Sequence, residues 1–314
     1  MVVLRYHGSM SIYEGTILFI ANPAAQRGNG AEAGDYVYRL LCDARGADAV
    51  QYVKTERPGH AIELAENAQS RIVIVLGGDG IVHEAVNGIM YRPKDNRPVF
   101  GLIPVGSGND YAKTLGIPET VDAAFETLLK AQEQAHDVGV CNGEYFAETL
   151  SFGLDAAIAL DTVKRRERTG QQGTPLYLAS GLDQLLHHLD TYSMRATLDD
   201  GSELAGDIHM LAVQNGQTYG GGFRICPEAS TSDGKLDLCW ADAPMSMLEA
   251  TVKFLSAKDA HHLKWKNIHF AKTSSLELSF DRRPPCQVDG EPHLADSYSI
   301  AVEPLAMRVL TAAK

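Results

Sequence analysis

An α/β domain on a doubly wound parallel sheet, followed by a mainly β domain of antiparallel hairpins, is the fold predicted for this chain of 314 residues. Three observations predict it. Between residues 15 and 138, short β-branched runs alternate with amphipathic segments, the pattern of strands joined by crossover helices. Beyond His136-Asp137-Val138 the period changes, and Asn142-Gly143, Asp200-Gly201, Asp233-Gly234 and Asp289-Gly290 supply the pairs that favour tight hairpins. The length itself suits two domains of ordinary size.

In chain order, strands are expected at 16–20, 49–53, 71–76 and 99–103, and helices at 31–44, 60–69, 81–90 and 121–131. Residues 71–76 and 99–103 are nearly all apolar, as strands covered on both faces must be. In the second half two helices interrupt the strands, at 175–189 and 245–255, the latter with Pro244 near its start, where a missing N–H does no harm. The predicted domains are therefore 1–137 and 138–302, allowing residues 303–314 to return to the first. With no repeat or low-complexity linker between them, they are expected to pack directly.

A formal charge of −12 argues against nucleic-acid binding, which needs a basic footprint, and against docking on anionic lipid by charge alone. Hydrophobic residues at 45% and charged residues at 22% fit a globular chain. Cys42, Cys141, Cys226, Cys239 and Cys286 show no Cys-x-x-Cys spacing, so a reducing, cytoplasmic setting is expected rather than disulfides or zinc. Residues 1–10 lack a charged segment leading into an apolar one, and no run approaches the roughly 18 apolar residues of a membrane span. Any membrane contact is expected to be peripheral.

The chemistry-bearing segments follow the strands. Residues 71–76 run into Gly77-Gly78-Asp79-Gly80 and then a helical segment with Ala85, Val86 and Ile89. Glycines admit a bulky anion close to the backbone, the turn's N–H groups form a concave donor site, and the helix start adds partial positive charge. Asp79 beside phosphate implies Mg²⁺ between them. Alone, this turn is equally a means of reversing the chain. A second unit, residues 99–103 into Pro104-Val105-Gly106-Ser107-Gly108-Asn109-Asp110, and a third turn starting at Asn22-Pro23 lie at the same carboxyl edge, where ligands of parallel sheets bind.

Asn22-Pro23, Gly77 to Gly80 and Gly106 to Asp110 resemble, in order and spacing, the nucleotide loops of the bacterial diacylglycerol kinase and related lipid kinase family. The likeness continues through Phe152-Gly153, Asn215-Gly216, Gly220-Gly221-Gly222, Asp233-Gly234 and Asp289-Gly290-Glu291. It implies a β-sandwich-like second domain, with ATP and lipid meeting in the cleft. ATP would contact Asn22, Thr55, the turn Gly77, Gly78, Asp79, Gly80 and Ile81 on to Glu84, and the loop Gly106, Ser107, Gly108 and Asn109. Thr55 could equally cap the helix near His60. The resemblance further implies Mg²⁺, a structural metal loop at Ser230, Asp233 and Lys235, and a proton acceptor at Asp289 or Glu291, between which the sequence does not choose. It makes Asp110 and Asp137 members of a charged network with Asp79, against helix capping and a turn contact as the alternatives.

The chain departs from the family where Ile81 replaces the usual Thr and His83 a common Asn. The expected function is transfer of the ATP γ-phosphate to a lipid hydroxyl, foremost that of diacylglycerol at a membrane surface. An NAD kinase-like enzyme and a non-catalytic nucleotide- or lipid-binding homologue are the alternatives. Residues 140–152 and the C-terminal strands could also form a homodimer edge. Lys164-Arg165-Arg166 and Arg168 read as a solvated helix face or a headgroup contact.

Overall fold

The computed structural model describes residues 15–171 and 173–312; the reading of residues 1–10 lies outside them. Four short strands, β1 (Ile17–Ala21), β2 (Val50–Lys54), β3 (Ile72–Gly77) and β4 (Val99–Pro104), pair in parallel in the order β2-β1-β3-β4. β1, β3 and β4 are buried along their whole length because helices cover both faces. The covering helices are α1 (Asn29–Arg45), α2 (His60–Glu66), α3 (Asp79–Met90), the short α4 (Asp110–Thr114) and α5 (Val121–Lys130).

The second half is an antiparallel, β-sandwich-like arrangement. β5 (Gln132–Cys141) turns at Asn142-Gly143 into β6 (Glu144–Phe146), and β7 (Thr149–Gly153) follows. After two helices come β8 (Tyr192–Leu198) and β9 (Glu203–Gln214), then β10 (Leu236–Asp242), helix α8 (Met247–Ala257), β11 (Ile268–Thr273) and β12 (Ser275–Phe280). A tight hairpin, β13 (Cys286–Val288) to β14 (Glu291–Pro292), precedes the long closing strand β15 (Ser297–Thr311). β15 pairs with β5 from Ile300–Cys141 to Thr311–Gln132, and its Val309 also pairs in parallel with Phe100 of β4. One strand thus joins both kinds of sheet.

Two expectations are corrected. Among the described residues the second half holds three long helices, not two: α6 (Leu154–Thr169) precedes α7 (Gly173–His187). α6 leaves β7 through Gly153, whose φ of 72° and contact with the His209 carbonyl exclude a side chain, and it ends at Gly170 in the left-handed conformation, whose N–H closes on Arg166 O at 2.7 Å. The basic run Lys164 to Arg168 is therefore the last turns of a helix, where cations suit the dipole. Asp233-Gly234 joins no pair of strands; the Gly234 N–H is tied to Asp137 Oδ2 at 2.7 Å, ahead of β10.

Three buried clusters follow from these layers. The first lies between the parallel sheet and its helices, the second inside the antiparallel half, and the third between β9–β10 and helices α6, α7 and α8.

Candidate active site at the carboxyl edge of the parallel sheet

Parallel pairing brings the ends of β1, β2, β3 and β4 to one edge, and with them Asn22, Thr55, Gly77 to Gly80 and Gly106 to Asn109. The two glycine turns meet backbone to backbone. A side chain on Gly78 would come within 2.9 Å of the Gly106 Cα, and one on Gly106 would strike the Gly78 Cα. Asn109, in the left-handed conformation, shapes its own loop: its Oδ1 accepts from the Gly106 N–H at 2.8 Å and its Nδ2 donates to Gly106 O at 3.1 Å. Ser107 and Gly108 sit half-buried between. Asn22 donates its backbone N–H to Leu76 O and accepts at Oδ1 from the Ala24 N–H, both at 2.9 Å. Ile81 is buried and offers no polar atom; it packs over Gly77. Glu84 points away from the turns and caps α2, accepting from Gly59 N–H at 2.8 Å and Ala61 N–H at 3.0 Å. α2 has Gly59 at its N-cap, so Thr55 does not cap it and stands half-buried at the sheet edge.

Asp79 bridges the turns: Oδ2 accepts from Asn109 N–H and Oδ1 from Asp110 N–H, both at 3.0 Å, which holds it at the start of α4. A side chain on Gly108 would meet Asp79 Oδ2 at 2.5 Å and Asp110 Oδ2 at 3.2 Å, so the two carboxylates converge on that glycine. Enclosure between the turns and the Asp110 charge push the pKa of Asp79 up to about 6. Asp110 also accepts from the Gly221 N–H at 3.0 Å and pairs with Lys113 at 3.2 Å.

The β13–β14 hairpin faces this edge. Asp289, at φ 48°, and Gly290, at φ 96°, make its two-residue turn. The Asp289 carboxylate accepts from Ala147 N–H at 2.7 Å, Glu148 N–H at 3.0 Å and Thr149 N–H at 2.9 Å, and lies 3.6 Å from His83 Nδ1. It is a buried anchor. Glu291 is exposed, engages no partner among the described residues, and reaches toward the first glycine turn, its Oε1 3.7 Å from where a Gly80 side chain would stand. The two carboxylates, between which the sequence does not choose, therefore do different things.

Of two further groups, the sequence marked His83 only as a departure from the family and did not mark Glu148. His83 lies between Asp289 and Glu144, the latter 3.3 Å from Nε2, and Glu144 also pairs with His293. Burial disfavours the imidazolium, but the Asp289 and Glu144 carboxylates outweigh it and raise the His83 pKa to about 10. Glu148 is buried, and among the described residues neither of its carboxyl oxygens has a partner within hydrogen-bond geometry. Burial, with the carboxylates of Asp110, Asp289 and Asp79, pushes its pKa well above the usual range. Its carboxyl fills the space a side chain at Gly216 would need, which explains the Gly of Asn215-Gly216. Asn215 in turn donates to Asp137 O at 2.9 Å and Ala147 O at 2.8 Å. No linear signal marked Glu148.

The donors for a divalent cation differ between the two proposed positions. Asp79 and Asp110 offer hard oxygens that converge beside Gly108, the kind of donor Mg²⁺ prefers. At Ser230, Asp233 and Lys235 the only carboxylate is already paired: Asp233 Oδ2 takes the Lys272 ammonium at 3.2 Å and Oδ1 takes the Lys235 N–H at 3.1 Å. Lys272 also lies 3.2 Å from Asp237. The Lys272 ammonium thus sits at the Asp233 carboxylate, as that of Lys113 sits at Asp110. Among the described residues no three His, Cys, Asp or Glu side chains form a metal set. Asp137 lies outside the Asp79 network, its carboxylate accepting from Gly234 and Leu305 N–H, both at 2.7 Å.

A second feature adjoins the edge. An apolar cavity runs between β9–β10 and helices α6, α7 and α8, lined by side chains such as Ile158, Tyr177, Phe223, Phe254 and Ala257. Its polar groups include Asp155, which accepts from the Tyr219 hydroxyl and whose pKa burial raises to about 6. Two residues beyond Tyr219, Gly221 touches Asp110.

Paired glycine turns at the edge of a parallel sheet, faced by a carboxylate hairpin from an antiparallel half, define a two-domain kinase fold. Residues 16–141 match the diacylglycerol kinase catalytic domain, and residues 148–311 the YegS C-terminal NAD kinase beta sandwich-like domain. The chain is 29% identical to a diacylglycerol kinase of Bacillus subtilis across 74% of its length and 75% of that protein. It is 30% identical to a "Probable lipid kinase YegS-like" of Pectobacterium atrosepticum, covering 83% of this chain and 81% of that one. A crystal structure of a diacylglycerol kinase from Bacillus anthracis shares the fold, with a TM-score of 0.78 at 22% identity over 94% of this chain and 96% of that one. The chain belongs to the diacylglycerol kinase-like lipid kinase family.

Proposed function

We propose that the protein transfers the γ-phosphoryl group of ATP to the hydroxyl of a membrane lipid, foremost diacylglycerol. The observation that carries this reading is the junction of the apolar cavity with the glycine turns: Tyr219 lines the cavity and Gly221 donates to Asp110, so an acyl-chain compartment and a phosphate compartment share one short segment.

In this reading the N–H groups of Gly78 to Gly80 and of Ser107 hold phosphate oxygens at the start of α3, while Asn109 keeps the Gly106 N–H and so shapes the second turn. Asp79 and Asp110 are the residues that would hold Mg²⁺, which would offset the phosphates' charge. Glu291 takes the proton of the attacking hydroxyl, since its carboxylate is exposed and uncommitted. Asp289 holds the hairpin that carries it. The buried Asp155–Tyr219 pair offers a polar contact to the headgroup in a largely apolar cavity. Ile81 leaves the backbone donors of the turn intact, so phosphate binding does not depend on the hydroxyl of the family's Thr.

The test supplies γ-labelled ATP and Mg²⁺ with diacylglycerol vesicles, a total lipid extract or NAD. Label in diacylglycerol or in another lipid of the extract is expected. Label in NAD alone overturns the lipid reading. ATP binding with no transfer to any acceptor makes the chain a nucleotide-binding homologue.

A further inference from the structure

We propose that the outward faces of α7 and α8, with the basic segment following α8, dock the protein on an anionic phospholipid bilayer. This inference rests on the lipid-kinase reading, because it supplies the surface from which the acceptor enters. α8 has two apolar faces. Ala250, Phe254 and Ala257 line the cavity, while Leu248, Val252 and Leu255, at i, i+4 and i+7, stand in solvent at 75%, 43% and 46% exposure. Cavity burial explains only the first. α7 lies alongside, because Gly181 leaves room for the Phe254 ring, and it exposes Leu182 and Leu186 in the same manner.

The segment after α8 states what covers this face. Lys258, His261, Lys264 and Lys266 are all exposed, and Trp265 stands among them. In residues 247–266 the buried Lys253 is paired with Glu249 at 2.6 Å, and the three exposed lysines are set against Asp259, in a chain whose net charge is −12. A leucine stripe flanked by lysines and a tryptophan is the signature of a helix lying in a bilayer interface, with the apolar face immersed and the cations at anionic headgroups. Among the described residues no helix is long and apolar enough to cross a membrane, so attachment through these helices is in the plane of the surface. Seated so, the roof of the cavity lies in the headgroup layer. The net acidity that argues against docking by charge alone is met by apolar insertion, with the local lysines giving preference for anionic lipid.

The full chain carrying Trp240→Phe leaves Trp265 as the one tryptophan. With phosphatidylcholine vesicles containing about one third phosphatidylglycerol, Trp265 emission is expected to shift to the blue and to be quenched by bromolipid, less so without the anionic lipid. The triple variant Leu248→Gln, Val252→Gln, Leu255→Gln is expected to lose about tenfold or more in vesicle partition. It should keep phosphorylation of a monomeric short-chain diacylglycerol while losing that of vesicle-embedded lipid. A charge variant, Lys258→Gln, Lys264→Gln, Lys266→Gln, should lose the anionic preference. Unshifted Trp265 emission, or unchanged partition of the triple variant, overturns the proposal. So does a dimer in sedimentation that the triple variant dissociates without any vesicle binding, which would make the face a contact between copies. Vesicle binding through this face with no transfer to any lipid would overturn the kinase reading alone.

Discussion

Asp289 and Glu291, two residues apart in one hairpin, differ in what their carboxylates can still do. Asp289 is committed to three backbone N–H groups and to His83, whereas the Glu291 carboxylate engages no partner among the described residues. Glu291→Gln should lower kcat by about 10² or more at unchanged thermal stability, the scale of a lost general base. Asp289→Asn should lower stability and activity together, because an amide presents a donor to backbone donors. Steady-state kinetics beside thermal melts separate them; equal stability loss in both would return the base assignment to an open question. His83 allows a second test. Its folded pKa of about 10 lies above the ordinary value near 6.5, so its ion pairs with Asp289 and Glu144 contribute fully below about pH 6.5 and are lost as pH rises through about 10. His83→Asn should cost about 3 kcal/mol near neutrality, the range for breaking a buried pair. In urea melts the gap to wild type should narrow toward pH 10. A gap independent of pH would mean that His83 is neutral when folded.

Elements decide how these residues meet. The parallel strands and their glycine turns were legible because each strand is a continuous apolar run ending in glycine, a pattern with one mechanical reading. α6 was not, because its residues 154–169 mix small apolar and charged side chains without a strong stripe, and its stop signal at Gly170 lies beside other glycines. Glu148, which sits in a loop, depends on contacts with Gly216 and the Asp289 hairpin far along the chain; only tertiary structure gathers them. The Ser230 to Lys235 loop shows the converse: its linear pattern was read, but the Lys272 that pairs with Asp233 comes from β11. Removal of divalent ions by EDTA should therefore abolish turnover yet leave the melting temperature of the nucleotide-free protein unchanged. Lys272→Met should cost about 1 kcal/mol or less, as for a half-exposed ion pair. A fall in melting temperature with EDTA, reversed by Mg²⁺, would show a structural cation that Lys272 does not replace.

Across the whole molecule, β5 and β15 do what a flexible linker would do in most two-domain enzymes, but as a ladder running from Ile300–Cys141 to Thr311–Gln132. At its far end Val309 joins β4, the strand that delivers the second glycine turn. At its near end β15 pairs with β12 of the antiparallel half. Arg97, buried at the start of β4, donates to Met90 O and Ala306 O at 3.0 Å each, a further tie between α3 and β15. The ladder is interrupted between Glu303 and Met307, where Pro304 and Leu305 are exposed, but it pairs with β5 on both sides of that break, so neither half is expected to lose its packing without disturbing the other, and the edge carrying Asp79 is expected to keep its distance from the hairpin carrying Glu291. Heating should therefore give one calorimetric transition with equal calorimetric and van't Hoff enthalpies. Mg²⁺-ATP at about a hundred times its Kd should move that whole transition upward, by close to 2.7 kcal/mol of added stability. Two resolved transitions, of which only one responds to nucleotide, would mean that the halves unfold independently and that the distance between Asp79 and Glu291 is set by the substrates rather than by the fold.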